Sequence, residues 1–183
     1  MAATQNCNLF FVGGIFGAGK STLCQSLSLT LPANHLKASE LIRHTPLRGD
    51  LSGKITDQAA QNQDRLLLAL GPYRTSWNSI LLDGHFCLFG RDHEITRLPI
   101  EVFAKLQLNA MLIVEAPSDV VMDRIAKRDG AFLEQELLRR LALEEYEHAS
   151  NISEALRVPL MSVSEMTDRK KITEFLAVNS RAP

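Results

Sequence analysis

Gly14-Ile15-Phe16-Gly17-Ala18-Gly19-Lys20-Ser21 stands between an apolar run, Leu9-Phe10-Phe11-Val12-Gly13, and a helical pattern, Thr22-Leu23-Cys24-Gln25-Ser26-Leu27-Ser28-Leu29. This is G-x-x-x-x-G-K-[ST] in the setting the motif needs, a buried strand before it and a helix N-terminus after it. The glycines let the backbone curl so that successive N–H groups converge on one point. The helix dipole adds positive potential there, and the Lys20 ammonium can reach the outer phosphates of a triphosphate. The Ser21 hydroxyl is placed to hold Mg²⁺. Gly14, Gly17, Ala18, Gly19, Lys20, Ser21 and Thr22 are therefore the expected binding residues for ATP.

Working outward, short apolar runs alternate with longer helical patterns, which predicts βαβ units around a parallel sheet. Strands are expected at Asn8 to Gly13, His35 to Ala38, Ser79 to Asp83, Ala110 to Val114 and Pro159 to Val163. Helices are expected from Lys20 to Leu31 (before Pro32), from a Ser39 cap through Arg43, from Asp57 to Leu70 (closed by Gly71-Pro72), and from Pro99 to Leu106. Three more follow, from Pro117 to Lys127, Leu133 to Leu156 and Asp168 to Val178. Phe86–Leu88 and Ile95–Arg97 can pair as a hairpin. The expected architecture is α/β, three layers, with five parallel strands between helices on both faces and ligands at the carboxyl ends of the strands.

The composition narrows the class. A chain of 183 residues with 45% hydrophobic and 22% charged residues suits one globular domain. Lys plus Arg number 20 and Asp plus Glu 21, so no general attraction to an extended nucleic acid is expected. Cys7, Cys24 and Cys87 lie far apart, which argues against a zinc site or a disulfide framework and suits a reducing compartment. The N-terminal residues lack a signal-peptide pattern and no apolar run is long enough to span a bilayer. A cytoplasmic protein without a membrane partner is the expectation.

Other residues gather around the loop. Asp83 ends an apolar strand, as the acid that holds Mg²⁺ beside a phosphate loop does. His85, two residues on, points to the same side and can touch phosphate, orient a nucleophile, or serve a structural hydrogen bond. Ser39 and Arg43 are spaced to face one pocket, where the arginine fork can grip an acceptor phosphate. Arg124 and Arg128, i and i+4 at a helix end, can neutralise a migrating phosphoryl group, with Arg139 and Arg140 as further cations. An anionic phosphate acceptor needs positioning rather than a general base.

In order along the chain, these pieces resemble the adenylate kinase superfamily of nucleoside monophosphate kinases. Within it the chain is most similar to the compact branch of archaeal-type adenylate kinases and eukaryotic nuclear adenylate-kinase-like ATPases. The resemblance is carried by the loop 14–21, by Lys37-Ala38-Ser39-Glu40-Leu41-Ile42-Arg43, by Asp83-Gly84-His85 and by Asp119 to Asp129. It implies one phosphate-loop kinase domain over 1–183, with an acceptor arm at about 39–71 and a lid at about 124–140. It also implies ATP and Mg²⁺ as donor and a nucleoside monophosphate, most often AMP, as acceptor. The chain departs from the pattern in a short lid, Gly130-Ala131-Phe132-Leu133 following the Arg-Asp pair. The arginine usual after the strand-end acid is also missing, Arg91 being the nearest. Gln58, Gln61 and Gln63 are candidates for reading the acceptor base. Two alternatives keep the loop: a kinase of a small metabolite or nucleic-acid end, and an ATPase switch acting on a protein partner.

Overall fold

A computed structural model describes residues 7–46, 57–90, 93–130 and 132–180, with the backbone alone at 57–60. The strands are β1 (Asn8–Gly13), β2 (Asn34–Lys37), β3 (Ser79–Asp83), β4 (Cys87–Phe89), β5 (Ile95–Arg97), β6 (Ala110–Val114) and β7 (Leu160–Val163). The helices are α1 (Lys20–Ser28), α2 (Ala38–His44), α3 (Asp57–Ser76), α4 (Ile100–Leu106), α5 (Ser118–Asp129), α6 (Gln135–Leu156) and α7 (Arg169–Val178). Five strands form one parallel sheet in the order β2-β3-β1-β6-β7, and β4 pairs with β5 as a separate antiparallel hairpin. The chain thus winds to one side of β1 and then to the other. That switch point opens a crevice at the carboxyl ends of the strands. The register sets Asp83 beside Val12 and Lys37, and Gly13 beside Ile113, so the phosphate loop, the strand-end acid and the start of α2 emerge on one edge.

Every residue of β1 and β6 is buried, as helices on both faces require. Side-chain alternation divides the core. Phe10 and Val12 pack with Leu23, Leu27, Leu112, Ile125 and Ile172. Leu9 and Phe11 pack with Leu70, Ile80, Leu82, Phe86, Phe103 and Ile152. Each fully buried large side chain contributes about 1.5–3 kcal/mol. The Phe11 ring meets Phe86 and Phe103 edge-on at centroid distances of 4.9 and 5.3 Å, forming a floor under the crevice.

Three expectations need correction. Ser39 is not a cap: α2 starts one residue earlier, with Lys37 at the cap position, because β2 runs into the helix without a loop. Nor does Gly71-Pro72 close α3, which continues to Ser76 with Pro72 inside it. Leu66, Leu70, Tyr73 and Trp77 keep a continuous apolar stripe against the core, and this packing outweighs the lost backbone bond. Helix α1 ends at Ser28, before Leu31; Leu29 takes the C-cap position, and the Thr30 and Leu31 amides close onto the Leu27 carbonyl. Residues 47–56 of the expected acceptor arm lie outside the described residues.

Candidate active site

The phosphate loop starts where β1 ends against β6. Gly14 has φ +133°, and a Cβ there would stand 2.5 Å from the Val114 carbonyl oxygen, so only glycine fits. At the other end Gly19, φ +102°, turns the chain into α1. Between them the Ala18 N–H donates to the Ile15 carbonyl at 3.2 Å. Lys20, 7% exposed, donates from Nζ to the Gly14 and Ile15 carbonyls at 2.8 and 3.0 Å. Two of its three ammonium protons are thereby used, leaving one for a phosphate. Burial pushes the Lys20 ammonium below the usual lysine range, opposed by the Asp83 and Glu145 carboxylates.

Asp83 and Ser21 come together as the sequence predicts. Ser21 Oγ donates to Asp83 Oδ2 at 2.5 Å. Burial raises the Asp83 carboxyl, but His35, the Ser21 hydroxyl and the Lys20 charge together outweigh it and hold it below the ordinary aspartate range. His35, unmarked by any motif, brings Nε2 to 3.4 Å from Asp83 Oδ2 without completing a hydrogen bond, so this buried nitrogen has no hydrogen-bond partner among the described residues. Carboxylate plus hydroxyl is a hard oxygen pair. Mg²⁺ is characteristically held by one or two such groups, its remaining positions going to water and substrate phosphates. No group of three acidic, His or Cys side chains able to cage a metal occurs among the described residues.

His85 lines the same cleft, and its Nδ1 lies 3.3 Å from Oε1 of Glu145. Glu145, 1% exposed, also accepts from the backbone N–H groups of Phe86 at 2.9 Å and Cys87 at 3.2 Å. The sequence reading missed this residue. Its signal is an acid on the apolar stripe of α6, in line with Leu138, Leu141, Ala149 and Ile152.

The cations are distributed unevenly. Arg124 Nη1 donates to the Gly17 carbonyl at 3.1 Å and Nη2 pairs with Glu165, fixing the side chain beside the phosphate loop. Arg128 lines the cleft and is paired with Asp129 through two bonds of 2.8 and 2.6 Å. Arg139 is exposed and Arg140 donates to the His93 carbonyl, 3.2 Å away, so neither lines the cleft. Ser39 does line it, whereas Arg43 is exposed and does not; Ile42, three residues after Ser39, holds the inward position. Arg91 and the Gln58 side chain lie outside the described residues. Of the other glutamines Gln63 lines the cleft and Gln61 does not, while Asn62 between them does.

The cleft measures about 700 Å³ and is continuous. One end is the loop from Gly17 to Leu23 with Arg124, Arg128, Glu165 and Arg169. Asp83, Gly84 and His85 stand in the middle. The far end is walled by Phe11, Leu66, Val102, Phe103 and Leu106, with Asn62, Gln63 and Ser39 as its polar groups.

No curated protein matches the sequence. Solved structures of similar fold include the shikimate kinase of Acinetobacter baumannii, in complex with shikimate, at 16% identity and TM-score 0.58. That match covers 98% of this chain and 98% of that one. A gluconokinase from Sinorhizobium meliloti 1021 is similar at 15% identity and TM-score 0.50, over 94% of this chain and 90% of that one. At such identities the likeness is one of fold, a parallel sheet with helices on both faces built around a phosphate loop. The model of the AAA domain family matches residues 13–139, from the end of β1 through the first turns of α6. By that match, which takes in the phosphate loop, Asp83 and both arginines of α5, the chain belongs to the AAA domain family.

Proposed function

We propose that the protein transfers the terminal phosphoryl group of ATP, with Mg²⁺, to a nucleoside monophosphate, AMP being the acceptor that fits best. The observation that carries this reading is the single cleft running from the phosphate loop, past Asp83 and His85, into an apolar chamber with side-chain amides. Phosphoryl transfer needs donor and acceptor in line, and one continuous cleft supports that arrangement. Phe11, Leu66, Val102, Phe103 and Leu106, all buried, make the wall at this end apolar, which suits a nucleobase, and Asn62 and Gln63 bring side-chain amides to it. A polyhydroxylated acid would leave hydroxyls without partners on that wall.

In this reading the loop amides and Lys20 bind the triphosphate, while Ser21 and Asp83 hold Mg²⁺. The metal, when bound, neutralises charge on the phosphate oxygens. Arg124 and Arg128 balance the charge of the migrating group, and His85 faces the space where it moves. Ser39 contacts the acceptor, and Arg43 serves as its phosphate clamp once α2 swings inward. Residues of about 39–71 form the acceptor arm and about 124–140 the lid.

A second reading, ATP hydrolysis driving a protein partner, is favoured by one observation. Only Gly130 to Glu134 separate α5 from α6, so the segment available to exclude water is short. The solved kinases of similar fold support a third acceptor class, small metabolites. The test is incubation with Mg·ATP and a panel of nucleoside monophosphates, gluconate and shikimate, following phosphorylated products. A diphosphate product from AMP is expected. Hydrolysis of ATP to ADP and phosphate, with none of the added monophosphates converted to its diphosphate, would remove the monophosphate reading.

A further inference from the structure

Phosphoryl transfer as laid out above gives Glu145 no part, yet this carboxylate is 1% exposed. A charge so enclosed is costly unless donors saturate it. Its position on α6 belongs to the apolar stripe, where leucine would satisfy packing alone. The three donors that face Glu145 are consecutive residues of the turn after Asp83-Gly84: the His85 ring, the Phe86 amide and the Cys87 amide, at 3.3, 2.9 and 3.2 Å. A second contact from α6 braces the same region, His148 Nε2 standing 2.6 Å from the Leu98 carbonyl. The acid therefore organises the segment that carries His85 into the cleft.

A carboxylate only accepts hydrogen bonds, so in this contact His85 Nδ1 must donate. In the neutral ring that fixes the tautomer, leaving Nε2 as the lone-pair nitrogen of a side chain that lines the cleft. We infer that Glu145 is a positioning residue for the reaction: it pins the 85–87 backbone and sets His85 as the Nδ1–H tautomer, so that Nε2 accepts a hydrogen bond from the attacking group. The inference rests on the reading of this cleft as a phosphoryl-transfer site, and it applies whether the attacking group is a protonated acceptor phosphate or a water.

The test uses the full chain with ¹⁵N-labelled histidine, at one mildly alkaline pH. The variants are Glu145→Gln, Glu145→Asp and, to identify the ring signals, His85→Gln. In the native protein the His85 proton should sit on Nδ1. In Glu145→Gln, where an amide can also donate, it should shift toward Nε2. Turnover of Mg·ATP, with and without AMP, should fall about tenfold or more, part of the roughly hundredfold or greater contribution of a positioned proton-accepting side chain. KM for ATP should change less than about twofold, and Glu145→Asp should restore part of both signals. Thermal unfolding run alongside separates positioning from support of the fold. An unchanged tautomer in Glu145→Gln, native turnover, or an activity loss equal to the loss of folded protein would each overturn the inference. Should Glu145→Gln not fold, an Nδ1 without a proton in the native protein overturns it alone. The ring signals need no acceptor, so an expected tautomer shift with no conversion of labelled AMP to its diphosphate would remove the monophosphate reading and leave Glu145 in its role.

Discussion

Replacing Asp83 by asparagine changes charge with almost no change in shape, which isolates what the carboxylate does. The residue is 7% exposed, and Ser21 Oγ, 2.5 Å from Oδ2, can still donate to an amide oxygen. What disappears is a negative charge facing the phosphate loop. Without metal that charge repels a triphosphate; with Mg²⁺ bound it attracts the complex. Two unit charges about 5 Å apart at an effective dielectric constant near 20 interact by about 3 kcal/mol, about a hundredfold in affinity. Screening in an open cleft reduces this to about tenfold at physiological salt. The ratio of the Kd for ATP in EDTA to the Kd for Mg·ATP should therefore fall by about tenfold or more in Asp83→Asn, measured calorimetrically with a non-hydrolysable analogue. If both constants change by the same factor, Asp83 is not the metal acid. The same variant carries a pH signature. The folded carboxyl titrates below its unfolded value of about 4, so its contribution to stability is complete above that pH and is lost as pH falls through the folded value. The stability difference between wild type and Asp83→Asn should accordingly shrink below about pH 4, read from denaturant midpoints.

Gly14→Ala should destabilise the fold by about 2 kcal/mol or more, because a positive φ and a contact with the rigid Val114 carbonyl must both be relieved; an unchanged urea midpoint would contradict the loop geometry. Replacing Asn62 and Gln63 together by alanine should raise KM for AMP about tenfold while KM for ATP stays within about twofold, as expected for lost hydrogen bonds at the acceptor end. Arg43→Ala decides whether α2 closes: reduced transfer to AMP with intact ATP hydrolysis means that the exposed arginine reaches the acceptor, and unchanged transfer removes it from the site.

What the sequence reveals here follows the range over which its signals act. Strands β1, β3 and β6 are legible to the residue because continuous apolar runs in a sheet covered on both faces have sharp ends. The phosphate loop and its acid are legible because glycines, a lysine and a strand-end aspartate each answer a local demand. The path of α3 through Pro72 is not, since local propensity says stop and only the packing of Leu70, Tyr73 and Trp77 says continue. His35 and Glu145 escape for a related reason. The groups they face lie 48 and 60 residues away, at Asp83 and His85, and no spacing rule connects β2 with β3 or α6 with the turn that follows β3. Arg43 shows the converse: helical spacing allows it to share a face with Ser39, but a few tens of degrees around a short exposed helix are enough to give the inward place to Ile42.

The ammonium of Lys20 rests on the carbonyls of its own loop, and the Ala18 amide closes onto Ile15. Curvature in this segment is thus held by hydrogen bonds of the polypeptide itself. Holding an anion with the third ammonium proton and the loop amides then needs little ordering of backbone, so the entropy usually lost when a loop folds around an anion is small. Association should be fast and nearly independent of nucleotide type, with differences between nucleotides expressed in how slowly they leave. In such a design discrimination belongs to the walls of the cleft, and the loop acts as an indifferent, always-ready anchor.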